Sequence, residues 1–468
     1  MMKRIIFILA GLLVVASMIL SACGGPAPSE APAEVTEAPA EVTEAPVATE
    51  APPAEEPAEA KPFEGVTINI LMEGVPDTEF VQAVLPQFEE QSGMKVNIEV
   101  LNYALMHEKL VPQLTAPEGG GSYDVIVVDN YWVAEFINAG WLKELDEQVA
   151  GSQTIKLADY LPSMVNLVGQ LDGKTYMIPF YNYAMALIYR DDLLNDPAIQ
   201  AEYKEKFGKD LALPASIPEY VELAKFMTRD TNGDGTIDIY GSSMMGLRPD
   251  PIVMEWLNYL YSSGGLIYDD SWNVVVNGEA GVQALTNYID SMKNAAPSGA
   301  PAYGFDEAFS TMAQGQAFSY ITFNWMLPQL NDPEKSQVVD KCKVVRIPGG
   351  KGLLGGWGWA IPVSSPNPEA AWAFIDWVES FEIAKERALL GGAPARSDVF
   401  EDADVLAKYP HYSEVEQIVG ESIEFPIMSR SPQVVEVLGR VLSEAVAGSK
   451  TIEDALNEAA EELKTLVD

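Results

Sequence analysis

Histidine and cysteine are almost absent from this 468-residue chain, which has two of each. His107 and His411 do not have the spacing of metal ligands, which argues against a zinc hydrolase. There is no GxSxG nucleophile motif, and Gly173-Lys174-Thr175 lacks the upstream glycine of a phosphate-binding loop. The sequence therefore lacks the motifs of metal-dependent hydrolases, of serine hydrolases and of P-loop proteins.

Positive charge is also scarce, because 29 lysines and arginines stand against 69 aspartates and glutamates, for a net charge of −40. A surface this acidic repels nucleic acid and anionic membranes, so we expect no nucleic-acid partner. It also disfavours a strongly anionic ligand, unless a local basic pocket overrides the average. Acidity of this kind is equally consistent with a general solubility signature.

A glycine pattern of the dinucleotide-binding type, GKGLLG, occurs at 350–355. That motif has to open a helix, whose N-terminus binds the pyrophosphate. The residues that follow, 357–362, have the pattern of a strand instead. We therefore do not expect a nucleotide cofactor at this position.

The N-terminus has the pattern of a targeting segment. Lys3 and Arg4 precede an apolar run from Ile5 to Leu20, which is too short to span a membrane comfortably and ends in small residues. The run closes with Leu20-Ser21-Ala22-Cys23, which resembles a bacterial lipobox. We predict a signal peptide at 1–22 and lipidation of Cys23, which would anchor the chain to a membrane without crossing it. A lipidated Cys23 could not form a disulfide with Cys342.

Residues 23–62 consist mainly of Ala, Pro, Glu, Thr and Val, and the heptapeptide EAPAEVT at 30–36 is repeated at 37–43. The proline in each repeat is incompatible with a heptad helix. With almost no large apolar side chains, such a segment cannot bury enough surface to offset its ordering entropy. We predict a disordered, extended stalk that holds the remaining chain away from the membrane.

The remainder, 63–468, is long enough for two cores and alternates between strand and helix patterns, which predicts an α/β fold. Strands are expected at 66–72, 95–100 and 123–128, with amphipathic helices between them. This order predicts a parallel sheet whose strand C-termini meet at a ligand site. A last amphipathic helix is expected to begin after Thr451.

Several segments, taken in order, resemble the family 1 extracellular solute-binding proteins, the maltose-binding-like class. Each match is short, but their order and spacing cover nearly all of residues 66–467. The matching segments are 123–129 (YDVIVVD), 136–146 (FINAGWLKELD), 172–179 (DGKTYMIP), 187–193 (LIYRDDL), 308–309 (AF), 315–317 (GQA), 324–325 (NW), 355–362 (GGWGWAIP) and 368–374 (PEAAWAF).

The resemblance implies a type II periplasmic-binding-protein-like fold, with two lobes, a hinge and a ligand cleft between the lobes. The first lobe would comprise about 64–181 and 359–405, and the second about 182–358 and 406–468. It also implies a monomeric, extracytoplasmic, non-enzymatic component of an ABC importer, which captures a carbohydrate and delivers it to the permease. Two alternatives stay open: a secreted carbohydrate-active enzyme, for which no acid/base motif is found, and a binding protein that serves a sensor.

Sugars present fans of hydroxyl groups and flat C–H faces, so a sugar site needs aromatic platforms and side chains that form hydrogen bonds. The residues expected to bind the ligand, by resemblance and by their position after strands, are Glu73, Asp129, Asn130, Tyr131, Trp132, Tyr181, Tyr183, Asn324, Trp325, Trp357 and Arg396. Of these, Trp132 could instead pack in the core and Arg396 could instead pair with an acid. Arg248 and Asp250 are further candidates.

The segment 230–238, DTNGDGTID, has the spacing of a calcium-binding loop, with a glycine at its sixth position. Position twelve is Gly241, where a bidentate glutamate is expected. No cofactor is expected to be required, but a structural calcium ion is one interpretation and an Asx-rich turn is the other. The calcium ligands would be Asp230, Asn232, Asp234, Thr236 and Asp238.

Overall fold

Runs of alternating or wholly apolar residues form strands in the computed structural model, which describes residues 61–467. The predicted signal peptide, the lipidation of Cys23 and the stalk up to residue 60 lie outside the described residues. The strands are β1 (Thr67–Glu73), β2 (Lys95–Leu101), β3 (Val125–Asp129), β4 (Gln170–Leu171), β5 (Lys174–Thr175), β6 (Met177–Asn182), β7 (Met185–Arg190), β8 (Ser319–Phe323), β9 (Cys342–Val345), β10 (Leu353–Leu354), β11 (Gly356–Ala360) and β12 (Ile423–Glu424).

Five of these strands form one mixed sheet in the order β2-β1-β3-β11-β6. β1 pairs in parallel with both β2 and β3, whereas β11 pairs antiparallel with β3 and β6. The predicted α/β class and the parallel start of the sheet are therefore confirmed. Strands β3, β6 and β11 are buried along their whole length, as expected for a sheet covered on both faces.

A second sheet contains β8, β7 and β9, in that order, with antiparallel pairing throughout. The chain passes from the first sheet to the second between Asn182, which ends β6, and Met185, which begins β7. The return passes from β10 into β11, and the backbone N–H of Tyr183 donates to the carbonyl of Gly355 at 2.9 Å. The two passages therefore lie side by side.

The helices surround these sheets, and none within residues 61–467 has both the length and the apolar character needed to cross a bilayer. They are α1 (Pro76–Ser92), α2 (Tyr103–Leu114), α3 (Val133–Asn138), α4 (Asp146–Gly151), α5 (Pro162–Val168), α6 (Asp191–Leu194), α7 (Pro197–Phe207), α8 (Ile217–Met227), α9 (Asp250–Ser262), α10 (Glu279–Asn294), α11 (Phe305–Ala313), α12 (Met326–Leu330), α13 (Pro368–Val378), α14 (Phe381–Leu390), α15 (Ser397–Phe400), α16 (Ala403–Lys408), α17 (Tyr412–Glu421), α18 (Ser431–Val446) and α19 (Ile452–Leu463).

Local signals fix the ends of several helices. Gly93 ends α1 in the left-handed region at φ 75°, which costs glycine little because it has no Cβ. The Thr451 side chain accepts a hydrogen bond from the backbone N–H of Asp454 at 3.1 Å, which caps α19. The predicted C-terminal helix is confirmed, and its buried stripe packs against α18.

Candidate functional site

A cavity of about 640 Å³ lies at the C-terminal ends of the parallel strands. Glu73 is the last residue of β1, Asp129 the last of β3, and Tyr103 begins the helix after β2. This is the edge at which open α/β sheets bind ligands. The rest of the lining comes from distant parts of the chain. It includes Leu247, Arg248, Pro249, Asp250, Met254, Phe305, Asp306, Glu307, Phe309, Phe323, Trp325 and Gln329.

One carboxylate of the cavity is held by a tyrosine. The Tyr181 hydroxyl donates to Oε2 of Glu73 at 2.8 Å. Burial raises the pKa of Glu73 to about 7, the Tyr181 hydrogen bond opposes this rise, and the charge of Asp77 adds to it. Glu73 can therefore accept hydrogen bonds when ionised and donate one when protonated, both of which suit a hydroxylated ligand.

A second tyrosine–carboxylate pair lies beside the first. The Tyr183 hydroxyl donates to Oδ1 of Asp129 at 2.8 Å and also contacts Oδ1 of Asn130. Burial raises the pKa of Asp129 to about 8, against the lowering effect of the Tyr183 hydrogen bond, and the charge of Glu73 contributes to the rise. The cavity floor therefore has two acidic groups whose protonation changes near neutral pH.

Aromatic rings cover the wall next to these acids. Tyr103 stacks on Trp132 with ring centroids 5.4 Å apart and an interplanar angle of 10°. Trp357 packs edge-on against Tyr103 at 6.0 Å and lies nearly parallel to Tyr181 at 6.3 Å. Tyr103, Tyr181 and Trp357 line the cavity, whereas Trp132 lies behind Tyr103. Tyr181 and Trp357 are 3% and 2% exposed, so the half-buried Tyr103 provides the accessible ring on this side against which a sugar ring can pack.

A second aromatic platform comes from the end of β8 and the start of α11. Trp325 stacks on Phe323 with centroids 5.6 Å apart and an angle of 15°, and Phe305 packs against Phe323 at 5.3 Å. The indole Nε1 of Trp325 is buried and has no hydrogen-bond partner among the described residues. Trp325 therefore combines a flat ring with an unused donor in the cavity wall.

The charged residues of the lining are mostly acidic. Asp250, Asp306 and Glu307 add to the two carboxylates of the floor, and Arg248, which is exposed, is the one base among the described lining residues. Burial raises the pKa of Asp250 to about 6, and the charge of Glu436 adds to the rise. The cavity therefore presents a negative potential to an incoming solute.

The structure brings six of the predicted binding residues into this lining: Glu73, Asp129, Tyr181, Tyr183, Trp325 and Trp357.

Three neighbours of Asp129 do not reach the lining. Asn130 contacts the hydroxyl of Tyr183 and Trp132 stacks on Tyr103, so both support residues that do line the cavity. Tyr131 packs edge-on against Phe425 at 4.6 Å, and its buried hydroxyl has no partner among the described residues. Of the predicted residues after β3, the structure therefore places Asp129 in the lining and Asn130, Tyr131 and Trp132 outside it.

Asn324 is also placed elsewhere than predicted. Its Nδ2 donates to Oδ1 of Asn182 at 2.7 Å and to the carbonyl of Ala184 at 2.9 Å, and it is 2% exposed. Asn182 in turn donates to the carbonyl of Pro394 at 2.8 Å. Asn324 therefore satisfies backbone groups where the chain passes between the sheets, and the prediction that it contacts ligand is corrected to this role.

The prediction for Arg396 is corrected as well, because it does not line the cavity. Its guanidinium binds Asp398 through Nε at 2.9 Å and Nη2 at 2.6 Å, pairs with Asp159 at 3.3 Å, and donates to the carbonyl of Glu379 at 2.9 Å. It is 2% exposed and lies over the ring of Tyr160. Each nitrogen of the guanidinium therefore donates a hydrogen bond within the fold. This is the structural pairing with an acid that the sequence left open as the alternative.

The residues that sequence reasoning missed fall into two groups. Tyr103 follows β2, so it could have been predicted from the rule that selected Glu73 and Asp129, namely that ligands bind at the carboxyl ends of parallel strands. Phe305, Phe309 and Phe323 could not, since an aromatic residue within a helix or at the end of a strand is indistinguishable from a core residue by pattern.

The loop with calcium-like spacing is exposed, and its side-chain oxygens accept local hydrogen bonds. Asp230 accepts from the backbone N–H groups of Gly233 and Gly235, at 2.7 and 2.8 Å. Asp238 accepts from the backbone N–H of Thr231 at 2.8 Å, and Asn232 from that of Asp234 at 2.8 Å. Within residues 61–467, the structure shows no group of three or more His, Cys, Asp or Glu side chains arranged for a metal ion. Structural calcium stays a prediction.

Comparison with known proteins identifies the class to which this fold and cavity belong. The profile of the bacterial extracellular solute-binding protein family matches residues 74–384, which is more than half of the chain. The chain is a member of this family. It is therefore a solute-binding protein and not an enzyme, and the resemblance inferred from the sequence is confirmed.

Individual relatives agree with this assignment. A solute-binding protein from Agrobacterium radiobacter K84, solved in complex with ribitol, is 27% identical and superposes with a TM-score of 0.75, covering 87% of this chain and 100% of that one. The maltose-bound MalE3 of T. maritima is 28% identical, with a TM-score of 0.74 and coverage of 86% and 100%. A probable amino-acid ABC transporter periplasmic-binding protein from Sinorhizobium fredii is 24% identical over 85% of this chain and 88% of its own length.

Proposed function

We propose that this protein captures a neutral polyhydroxylated solute, a sugar or a sugar alcohol, in the 640 Å³ cavity and delivers it to the permease of an ABC importer. The observation that carries the proposal is the combination of two aromatic platforms with the carboxyl groups of Glu73 and Asp129 in the lining of one cavity. Aromatic faces pack against the C–H surface of a sugar, and carboxylates accept hydrogen bonds from its hydroxyl groups. The ribitol and maltose complexes of similar proteins support this ligand class.

The charges of the lining favour a neutral solute over an amino acid, although one relative is named for amino-acid transport. An α-carboxylate or a phosphate would need a cationic partner, since burying an unpaired anion is costly. Arg248 is the one base among the described lining residues and it is exposed, whereas Glu73, Asp129 and Asp250 are acids. We therefore expect anionic solutes to bind weakly.

The experiment that tests this proposal is thermal unfolding of the purified protein against sugars, sugar alcohols, amino acids and phosphates. A solute that binds only the folded state stabilises it by about 2.7 kcal/mol at a hundred times its dissociation constant, and so raises the melting temperature. We expect a large shift with one saccharide or polyol. A shift confined to amino acids or phosphates would contradict the proposed ligand class, while the family assignment would stand.

We propose that the two sheets are the centres of two lobes that close on the solute. The lobe boundaries expected from the sequence, about 64–181 with 359–405 and 182–358 with 406–468, place the passage near Asn182. The expected boundary at 358/359 would divide β11, whose Trp357 pairs antiparallel with Asp129 in the first sheet, so we propose a return passage near Gly355 that places Trp357 in the first lobe. Small-angle scattering with and without the bound solute tests closure, since we expect the radius of gyration to fall on binding.

We also propose that the mature chain is a lipoprotein anchored through Cys23, with the 23–62 stalk between the membrane and the binding domain. The basis is the apolar run followed by Leu20-Ser21-Ala22-Cys23. Mass spectrometry of the N-terminal peptide tests the modification, and Cys23→Ser should release the protein from the membrane fraction. Retention of the Cys23→Ser variant on the membrane would overturn the anchor.

A further inference from the structure

A buried glutamate of α9 holds the backbone just before the cavity wall. Glu255 is 0% exposed, and its Oε2 accepts a hydrogen bond from the backbone N–H of Met245 at 2.5 Å. The other oxygen, Oε1, has no partner among the described residues. Glu255 lies outside the cavity lining, although its neighbour Met254 belongs to it. The carboxyl therefore has no direct role towards a solute.

The backbone carbonyl of Met245 also has a buried side chain as its hydrogen-bond partner. The Tyr288 hydroxyl, on α10, donates to the carbonyl oxygen of Met245 at 2.5 Å. Tyr288 and Met245 are both 0% exposed. The backbone N–H and the backbone carbonyl of Met245 each form a hydrogen bond with one buried side chain. Loss of either side chain would therefore leave a buried backbone group unpaired.

The chain that leaves Met245 becomes the cavity wall. We use the name wall segment for Leu247, Arg248, Pro249 and Asp250, all of which line the cavity. The N–H groups of Gly246 and Leu247 donate to the carbonyl of Tyr303 at 3.1 and 3.0 Å. The carbonyl of Leu247 accepts from the N–H of Ile252 at 3.0 Å, which folds the wall segment onto its own helix.

Close packing restricts the wall segment further. A Cβ atom on Gly246 would lie 2.5 Å from Cα of Pro301, and one on Gly439 would lie 2.8 Å from Cα of Pro249. Neither contact involves the open cavity. The position of the wall segment is therefore set by buried groups behind it rather than by a solute in front of it.

We propose that Glu255 and Tyr288 are positioning residues for solute selection, which hold Met245 and thereby fix where Leu247, Arg248 and Asp250 face the solute. This inference rests on the proposed function, because it concerns the same cavity. The wall segment contributes an apolar side chain, a cation and a carboxylate to one side of the site. A shift of this segment changes which hydroxyl groups of the solute can be matched.

The chemistry of Glu255 predicts which substitution is tolerated. Complete burial raises the pKa of Glu255 well above 4.5, so its neutral form is favoured. A neutral carboxyl and a glutamine amide have the same shape, and both have one oxygen that accepts a hydrogen bond. E255Q therefore keeps the acceptor for Met245, whereas E255L fills similar space and removes it.

Hydrogen exchange followed by mass spectrometry, without solute, tests the positioning role. We expect E255L and Y288F to accelerate exchange in the peptide 246–252 by about tenfold, and E255Q to change it by less than about twofold. Y220F is the matched control, because it also removes one buried tyrosine hydroxyl, which bonds Ser242 at 2.8 Å and Ser319 at 3.1 Å. Wild-type exchange of 246–252 in E255L, or equal acceleration by E255Q, overturns the inference.

Affinity provides the second readout, with maltose and ribitol as probes. We expect E255L and Y288F to bind a probe about tenfold more weakly, while E255Q and Y220F keep the wild-type affinity. Equal weakening in Y220F would indicate general destabilisation and overturn the specific role. A wild-type protein that binds neither the probes nor any other saccharide or polyol overturns the proposed function, and hydrogen exchange then decides the positioning role by itself.

Discussion

A Cβ atom on residue 355 would lie 1.6 Å from Cε2 of Tyr183, so Gly355 leaves the space that the tyrosine ring occupies. The backbone N–H of Tyr183 donates to the carbonyl of Gly355, and its hydroxyl reaches Asp129 at 2.8 Å. The ring packs edge-on against Phe323 at 5.4 Å. Gly355 and Tyr183 thus connect the passage between the sheets with the cavity floor and the second aromatic platform.

Gly355→Ala should be strongly destabilising, because the methyl group would overlap the Tyr183 ring and one of the two must move. We expect a loss of roughly 3 kcal/mol or more in the free energy of unfolding, at the upper end for overpacked sites. Urea unfolding measures this loss directly. A matched substitution is Gly420→Ala in α17, where a Cβ meets nothing within 4 Å. Since alanine favours a helix over glycine by about 1 kcal/mol, this control should be neutral or stabilising.

Trp325→Ala should weaken solute binding, because Trp325 lines the cavity and its ring is part of the second aromatic platform. We expect a loss of about 2 kcal/mol, or roughly 30-fold in affinity, as for an aromatic anchor in a binding site. Calorimetric titration with the best-binding saccharide or polyol measures it. Trp272→Ala is the control, because Trp272 is 41% exposed and is not part of the lining. Equal losses in both variants would show that Trp325 is not an anchor.

The pH dependence of stability should report on Asp129. Its pKa is about 8 in the folded protein and near 3.8 when unfolded. Between these values the folded state keeps a proton that the unfolded chain releases, so the stabilising contribution is present at low pH and lost as pH rises towards 8.

Comparison with Asp129→Asn isolates this effect, since asparagine does not titrate. We expect the unfolding free energy of the wild type, relative to the variant, to fall by up to about 1.4 kcal/mol per pH unit. Urea unfolding from pH 5 to 8 measures the difference. A difference that stays flat between pH 5 and 8 would contradict the prediction.

Arg396→Ala should reduce stability and leave solute affinity unchanged, because the buried Arg396 pairs with the partly exposed Asp159 and Asp398 and does not line the cavity. Loss of hydrogen bonds between charged groups costs about 1.5–3 kcal/mol. Chemical unfolding gives the stability, and titration at a temperature where the variant is folded gives the affinity. A tenfold weaker affinity in the folded variant would return Arg396 to the set of binding residues.

The first sheet was predictable because its strands have uninterrupted apolar or alternating patterns that end in polar residues. That rule also located Glu73 and Asp129, since the carboxyl ends of parallel strands meet at one edge. The turn after β3 was not predictable in the same way. Whether Asn130 or Trp132 faces the cavity depends on how α3 packs, and a single sequence contains no signal for that packing.

The second wall of the cavity depends on contacts between residues far apart in the chain. Phe305 and Trp325 come together with the wall segment near 247–250 only after α9, α11 and β8 have packed. Arg396 failed as a prediction for the same reason, because its partner Asp159 lies 237 positions earlier. Local patterns predict an arginine near the site, but only tertiary structure determines which acid it meets.

The cavity continues the aromatic core of the protein, since Tyr181, Tyr183 and Trp357 belong to both, while Tyr103 and Trp325 keep part of their surface accessible. A solute that covers them adds its binding energy to the folding energy of the chain. Occupancy would then influence the lifetime of the protein, because proteases act on opened chains. Protein that finds no solute should be degraded faster than protein that carries one, so the amount of receptor would follow the supply of its solute without any change in gene expression.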